Sequence, residues 1–320
     1  MNPAPLCIEF TRGNSIESFH YVDVAVADLS GKRISAWGDG EKLVLPRSAI
    51  KPLQALPLVE TGAAEAFQLS EIEIALACSS HNGENLHVEA VENWLSKVGC
   101  SPDDLACGWH DPMDFNLVKE EMLRGDHLKV AANNCSGKHT GFLTVMRHLG
   151  IDHKNYLHSS HQLHTDYVTP ILSEMCHVDL SGQEPGIDGC GVPVWAVPLS
   201  GLAIGWAEMI TKPSAVPLFQ AMINQPFYIA GTGRVCTEMI SSTSGRAIVK
   251  TGAEGVFCAA IPEQGLGIAL KVRDGASRAA TAALAWLLTE FGITEREESQ
   301  SLTNHAGEHV GEIRVSLQAR

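Results

Sequence analysis

The stretch Val22-Asp-Val-Ala-Val-Ala-Asp28, followed by Ser30-Gly31-Lys32 and then Arg33-Ile-Ser-Ala-Trp37, carries the reading of the fold. Val22, Val24 and Val26 alternate with Asp23, Ala25 and Ala27, the two-residue period of a strand with one buried face. Ser30-Gly-Lys is turn chemistry, so Arg33 to Trp37 returns as the second arm of a hairpin. Working outward, further strands are expected at Val192–Val197, Arg246–Lys250, Val256–Ile261 and Gly267–Val272. Helices fill the middle. Pro46 leads into an apolar helix over Ser48–Val59, closed by Gly62, with Pro52 tolerated near its first turn. Ser70 and Glu73 form a capping box for a short helix ending near Cys78. Leu86, Ala90, Val91, Trp94, Leu95 and Val98 share one helical face, with Gly99 as the stop. Gly137–Leu149, ended by Gly150, His161–Met175 despite Pro170, and the Ala-rich Ala276–Glu290 complete the set.

Strands drawn from distant parts of the chain, with helices between, predict an α/β (α+β) fold. It is one antiparallel sheet flanked by helices, with an additional helical region. Residues 1–293 read as a single catalytic domain, with a sheet lobe from both chain ends and a central helical lobe. Residues 294–320 read as a polar, solvated C-terminal tail. The 320 residues suffice for a large core without covalent staples. A formal net charge of −14 repels nucleic acid and anionic membrane surfaces, so neither is an expected partner. The nine cysteines are odd in number and scattered, which points to reduced thiols. Ala196–Ile210, the most apolar run, is interrupted by Pro198, Ser200 and Glu208. With no basic start and apolar stretch at Met1–Glu9, a soluble, cytoplasmic protein is expected.

Three short motifs carry candidate chemistry. Ser48-Ala-Ile-Lys51 sets a hydroxyl and an amine one helical turn apart at a helix N-terminus. A lysine acting as base must be neutral, so its pKa has to fall from ~10.4 to about 7–8, through burial and nearby positive charge. Ser80-His-Asn82 and Lys250-Thr-Gly252 follow in order, each pattern occurring once. The order Ser-x-x-Lys, Ser-x-Asn, Lys-Thr-Gly resembles the penicillin-recognising enzymes and β-lactamases, and the same constellation is known in serine-dependent glutaminases. That resemblance implies an acylated first serine and a second serine lying between the two lysines. Ser48 and Ser80 are closer in sequence than in most β-lactamases, implying a smaller intervening helical region.

Longer motifs narrow the resemblance. Leu45-Pro-Arg-Ser-Ala-Ile-Lys-Pro52, Cys78-Ser-Ser-His-Asn-Gly-Glu84, Asn133-Asn-Cys-Ser-Gly-Lys-His-Thr-Gly-Phe142 and Gly186-Ile-Asp-Gly-Cys-Gly-Val-Pro193 together look like the rhizobial-type L-asparaginases, from about Arg12 to Phe291. The resemblance implies a homodimeric amidohydrolase of β-lactamase-like fold, acting on L-asparagine with two Ser–Lys pairs beside a zinc ion. Carried onto this sequence, the pairs are Ser48 with Lys51 and Ser80 with Lys250. Arg47, His139 and Asp188 line the substrate pocket, joined by Asn82 of the Ser-x-Asn motif, and Cys135, Lys138 and Cys190 hold the zinc. Asp188 is expected to hold the substrate ammonium, and Arg47 either its carboxylate or the lysine in its neutral form. Helix N-terminal placement favours Ser48 as the acylated serine.

The residues alone say less about the metal. Cys135 and Cys190 read as structural thiols, since buried free cysteine is common, and a lysine must lose its proton before it can ligate. Cys135 with His139 is an alternative nucleophilic pair. The 14 histidines show no His-Glu-x-x-His spacing and read mostly as surface or satisfied core residues. Gly231-Thr-Gly-Arg234 lacks the Lys-Ser/Thr of a phosphate loop. No Thr-Gly-Gly-Thr segment is present, nor an obvious self-cleaving threonine, so threonine-dependent amide hydrolysis is not expected. A glutaminase, a D-amino-acid peptidase and a non-catalytic amino-acid sensor remain rival readings of the same constellation.

Overall fold

The computed structural model describes residues 3–111, 113, 118–119, 123, 129–295 and 300–316. Its centre is an eight-stranded sheet. The strands are β1 (Leu6–Arg12), β2 (Ser15–Asp28), β3 (Arg33–Trp37), β4 (Ile248–Thr251), β5 (Val256–Ile261), β6 (Leu266–Val272), β7 (Gln300–Thr303) and β8 (His309–Ser316). They lie in the order β7-β8-β1-β2-β6-β5-β4, every pairing antiparallel, and β3 also pairs with β2. The expected hairpin is present: β3 returns along β2 with Val24 opposite Trp37 and Ala27 opposite Arg33. β2 is long enough to serve several partners, β1 along its first half and β6 along its second.

The alternating stretch is not half-buried. Val22 through Ala27 are all fully buried. Successive side chains point to opposite faces, so this requires cover on both. Helices Leu199–Glu208 and Ser277–Glu290 pack against β2, β5 and β6 and supply it. Antiparallel strands covered on both faces lose the polar half of their alternation, which Asp23 alone keeps here, paired to Arg273.

The C-terminal stretch corrects the expectation of a solvated tail after 293. Gln300–Thr303 and His309–Ser316 are strands, and β8 runs along β1 from Cys7 opposite Ser316 to Phe10 opposite Ile313. Ile313 and Val315 alternate with polar residues and pack on the core, while the other face stays wet. Averaged over the segment, that alternation reads as polarity.

Among the helices, Glu71–Ala77 (α1) opens with the Ser70/Glu73 capping box. Asn85–Lys97 (α2) buries Val88, Val91, Trp94 and Leu95, whereas Leu86 lies on its solvent side. Ser136–Leu149 (α3) ends at Gly150 in the left-handed conformation. The expected helix over Ser48–Val59 breaks into a 3₁₀ turn, Arg47–Ile50, and two short helices, Lys51–Gln54 and Leu56–Glu60. Pro52 and Pro57 each remove an amide and so divide it. His161–Met175 similarly divides into a π-helical turn, Leu163–Val168, and an α-helix, Thr169–Met175, at the approach to Pro170. The strand expected over Val192–Val197 is reduced to two-residue pairings of Pro193–Val194 and Val197–Pro198. No helix of the described residues is long and apolar enough to cross a membrane.

Candidate active site

After α1 the chain extends past Cys78, and its amides bond the segment before the glycine-rich turn: Ser80 N–H to Ile229 O (2.9 Å) and Asn82 N–H to Ala230 O (2.8 Å). This fixes the Ser80 hydroxyl between two amines. Lys51 Nζ and Lys250 Nζ each lie 2.9 Å from Ser80 Oγ. Both lysines are buried, at 1% and 0% exposure, and Ser80 at 4%. Lys51 comes from the short helix after Pro46, and Lys250 from edge strand β4. The two amines differ in surroundings. Lys51 Nζ also donates to Ser79 O and Asn134 O, matching the three N–H groups of an ammonium. Lys250 Nζ has one other acceptor, Thr251 O at 2.8 Å. Burial, aided by the charges of Lys51 and Arg234 and opposed by Cys236, pushes Lys250 down to about 7.

Gly252 explains why the Lys-Thr-Gly strand can approach so closely. A Cβ there would come within 2.6 Å of Pro46 O and 3.2 Å of Ala49 N, so β4 lies directly on the Arg47–Ile50 turn. Trp206 Nε1 anchors the same turn from beneath, donating to Ala49 O at 3.2 Å.

The expected Ser48–Lys51 pair does not form. Ser48 is half-buried and its hydroxyl makes no hydrogen bond among the described residues, because Lys51 finds three acceptors on the side of Ser79, Ser80 and Asn134. Three buried acceptors outweigh one hydroxyl for a cation removed from water. The ground for favouring Ser48 also falls away, since it sits in a single 3₁₀ turn rather than at the head of a long helix.

Arg47, next to Ser48, has φ of 50°, a left-handed conformation that strains a residue with a side chain. Its guanidinium is held by Asp188, Nε to Oδ1 2.7 Å. The Asp188 carboxylate also accepts from Gly189 N–H, and its own amide donates to Val192 O. Burial works against its charge, but Lys138 and Arg47 hold it below the usual carboxylate range.

His139 is not an open pocket wall. It is fully buried, with Nδ1 2.6 Å from the Tyr156 hydroxyl, which accepts from Ala106 N–H. The Tyr156 hydroxyl thus orients the ring through Nδ1, while Nε2 has no partner among the described residues. Burial foremost, then the charges of Lys138 and Lys51, keep the ring neutral. Asn82 is bound within the protein as well: Oδ1 accepts from Arg234 Nη1 at 2.6 Å, and Nδ2 donates to Glu84 Oε1 and Thr232 O.

Cys135, Lys138 and Cys190 do converge. Lys138 Nζ donates to Cys190 Sγ at 2.9 Å, and the Cys190 thiol hydrogen-bonds Cys135. That bond, working against burial and helped by the charges of Lys51 and Lys138, pushes Cys135 well below the usual thiol range, while Cys190 is pushed up. One sulfur is thus prepared as a thiolate, and a second sulfur and an amine stand beside it. Among the described residues no group of three or more His, Cys, Asp and Glu side chains is gathered as a metal site; this cluster takes its third donor from a lysine.

Three further residues shape the site and went unread in the sequence. His81 Nε2 bonds Ser136 Oγ at 2.9 Å and its Nδ1 accepts from Gly83 N–H, so it fixes the loop on which Ser80 sits. Tyr156 orients His139, and Arg234 reaches the site from the Gly231 turn. His81 lay inside the Ser-x-Asn motif and Arg234 closed the glycine-rich Gly231-Thr-Gly-Arg234 stretch, set aside only as a phosphate loop, while Tyr156 carried no local signal.

A family described as L-asparaginase II matches this chain over residues 8–315. Among solved structures, a β-lactamase from Mycobacterium bovis aligns with 85% of this chain and 95% of its own, at 14% identity and a TM-score of 0.41. The octameric penicillin-binding protein homologue from Pyrococcus abyssi aligns with 83% of this chain and 73% of its own, at 13% identity and a TM-score of 0.30. No curated protein matches the chain.

Proposed function

This chain belongs to the L-asparaginase II family, a family of amidohydrolases, and we propose that it hydrolyses the side-chain amide of L-asparagine to L-aspartate and ammonia through an acyl-enzyme on Ser80. The observation that carries the mechanism is the Ser80 hydroxyl, 2.9 Å from both the Lys51 and the Lys250 amines. With a pKa brought to about 7, Lys250 is available as a neutral base, and Ser80 O–H then donates to its lone pair. Ser80 Oγ attacks the amide carbon and its proton passes to Lys250. The Lys51 ammonium supplies positive charge next to the developing negative charge. As the C–N bond breaks, Lys250 returns the proton to the leaving nitrogen, which departs as ammonia. A water then attacks the ester carbon and gives a proton to Lys250, which passes it to Ser80 Oγ as the Oγ–carbon bond breaks, releasing aspartate and restoring the serine.

Asp188, oriented by Arg47 and Gly189, is suited to the substrate ammonium, since it remains ionised and has lone pairs to give. The proposal extends to zinc and a homodimer, as the family resemblance implies. Cys135, Lys138 and Cys190 fit a zinc ion by chemistry, being two sulfurs and an amine joined through Cys190, with Lys138, which its sulfur neighbours and Asp188 favour as a cation, giving up its proton to ligate. A zinc ion bound by them would supply a fixed positive charge to the site. The test is ammonia release from L-asparagine by the purified protein, with Ser80→Ala and Ser48→Ala alongside. Ser80→Ala is expected to lose activity by about 10³-fold or more, the scale of removing a nucleophile, and Ser48→Ala far less. No ammonia from the parent would end the reading; full activity in Ser80→Ala would end the assignment of the nucleophile.

A further inference from the structure

Arg234 is a cation that finds no acid among the described residues. Its guanidinium is half-buried at the end of the Gly231–Arg234 turn, just before helix Val235–Ser242. Nη1 makes both of its hydrogen bonds, to Asn82 Oδ1 (2.6 Å) and to Met113 Sδ (3.5 Å). Among the described residues Nε and Nη2 have no acceptor, and no carboxylate lies within ion-pair distance. Glu84 is committed elsewhere: Oε1 accepts from Asn82 Nδ2 and Thr232 N–H, and Oε2 from the Thr232 hydroxyl. A partly desolvated guanidinium without a counter-charge is costly, and a carboxylate across its open fork removes that cost.

The position is not incidental to the chemistry. Arg234 bonds Asn82, two residues beyond Ser80 and therefore at most about 7 Å further along the chain. Its charge bears on Lys250, His81 and His87, which surround the same hydroxyl loop. The turn that presents it admits only glycine at 231, where φ is 118° and a Cβ would lie 2.4 Å from Glu84 Oε1 and 2.7 Å from Asn82 Nδ2. Arg47, the arginine that the sequence offers for a substrate carboxylate, already gives Nε to Asp188.

We propose that Arg234 receives the α-carboxylate of the substrate through Nε and Nη2, with Asn82 holding the guanidinium in place from behind. The assignment rests on the amide-hydrolysis reading above and adds to it the group that selects an amino acid over a simple amide. Asp188 and Arg234 would then take the two charges of the zwitterion, leaving the side-chain amide to face Ser80.

The experiment compares L-asparagine with 3-aminopropanamide, the same molecule without its α-carboxylate, in the full-length parent, Arg234→Gln and Arg234→Lys. Arg234→Gln should lower kcat/KM for L-asparagine by roughly 10- to 100-fold, the scale of a lost charged hydrogen bond, chiefly through KM. On 3-aminopropanamide the fall should be several-fold smaller, limited to what losing the Arg234 charge beside Lys250 costs. Arg234→Lys, which keeps the charge and loses the fork, should recover part of the deficit. An equal fall on both compounds would make Arg234 a structural support for its turn and overturn the proposal, as would no fall on either. If the parent itself releases no ammonia from L-asparagine, the amide-hydrolysis reading is what has failed. Calorimetric binding of L-aspartate then decides Arg234 separately: affinity undiminished in Arg234→Gln overturns it.

Discussion

At the scale of single residues, Lys250 shows how the site uses burial. Its amine is wholly removed from solvent, and among the described residues it is offered no carboxylate. A fall from 10.5 to about 7 corresponds to roughly 5 kcal/mol of disfavoured charge. Because the folded value lies below the unfolded one, the unfolded chain holds the extra proton between about pH 7 and 10.5. Stability attributable to this residue therefore rises with pH across that window, by about 1.4 kcal/mol per unit, and the whole cost stands below pH 7. Lys250→Met should be inactive yet more stable than the parent at pH 6, with the gap narrowing toward pH 10. Urea unfolding at the two pH values measures this, and a gap independent of pH would contradict it. In the parent, kcat/KM should climb through about pH 7 as Lys250 becomes neutral. Ser48 teaches the complementary lesson. Its spacing to Lys51 was legible in the sequence, but the direction of the Lys51 side chain was decided by Ser79, Ser80 and Asn134, which sequence spacing does not locate.

Elements matter here through their contacts. The Lys-Thr-Gly strand and the Arg47–Ile50 turn meet because Gly252 has no side chain. Gly252→Ala should push the turn away from β4, cost about 1–3 kcal/mol by overpacking, and lower activity more than its distance from Ser80 suggests. Thermal unfolding together with ammonia release checks both parts; an unchanged melting temperature would show that the contact yields freely. The zinc reading belongs to this scale too, since Cys135 and Lys138 stand at the start of α3 and Cys190 on the Asp188–Gly191 turn. Metal analysis of the parent should find zinc equimolar with the chain, and Cys190→Ser should lose it; a parent free of metal after purification in zinc, or a variant that retains it, rules these ligands out. Helix starts and stops were readable because the Ser70/Glu73 cap and Gly150 act locally. The broken helix after Pro46 was not, because each proline is tolerable alone and their sum decides the outcome.

Over the whole molecule, the sheet closes the chain on itself. β8 pairs with β1 and carries β7 at the sheet edge, while Arg314 forms an ion pair with the buried Glu9. Removing residues 300–316 should expose the β1 edge and abolish cooperative thermal unfolding, as followed by circular dichroism, or leave the product insoluble. A truncated protein melting like the parent would show these strands to be an accessory to the fold. The opposite end of the sheet, β4, carries Lys250, so the site lies far across the strand order from the strand that joins the two chain ends.

The sequence by itself determined which groups are present and which local structures they favour. The alternation of Val22–Ala27, the capping box, the stops at Gly99 and Gly150, and the three motifs with their hydroxyls and amines all depend on neighbours within a few residues. Tertiary structure decided what those groups face. It buried the Val22–Ala27 stretch of β2 on both sides, turned a polar end into strands, gave both lysines to Ser80 rather than one to each serine, and left Arg234 without an acid among the described residues. Each outcome depends on groups far apart in the chain, where desolvation and competition among acceptors fix the answer, and neither has a signature in residue order.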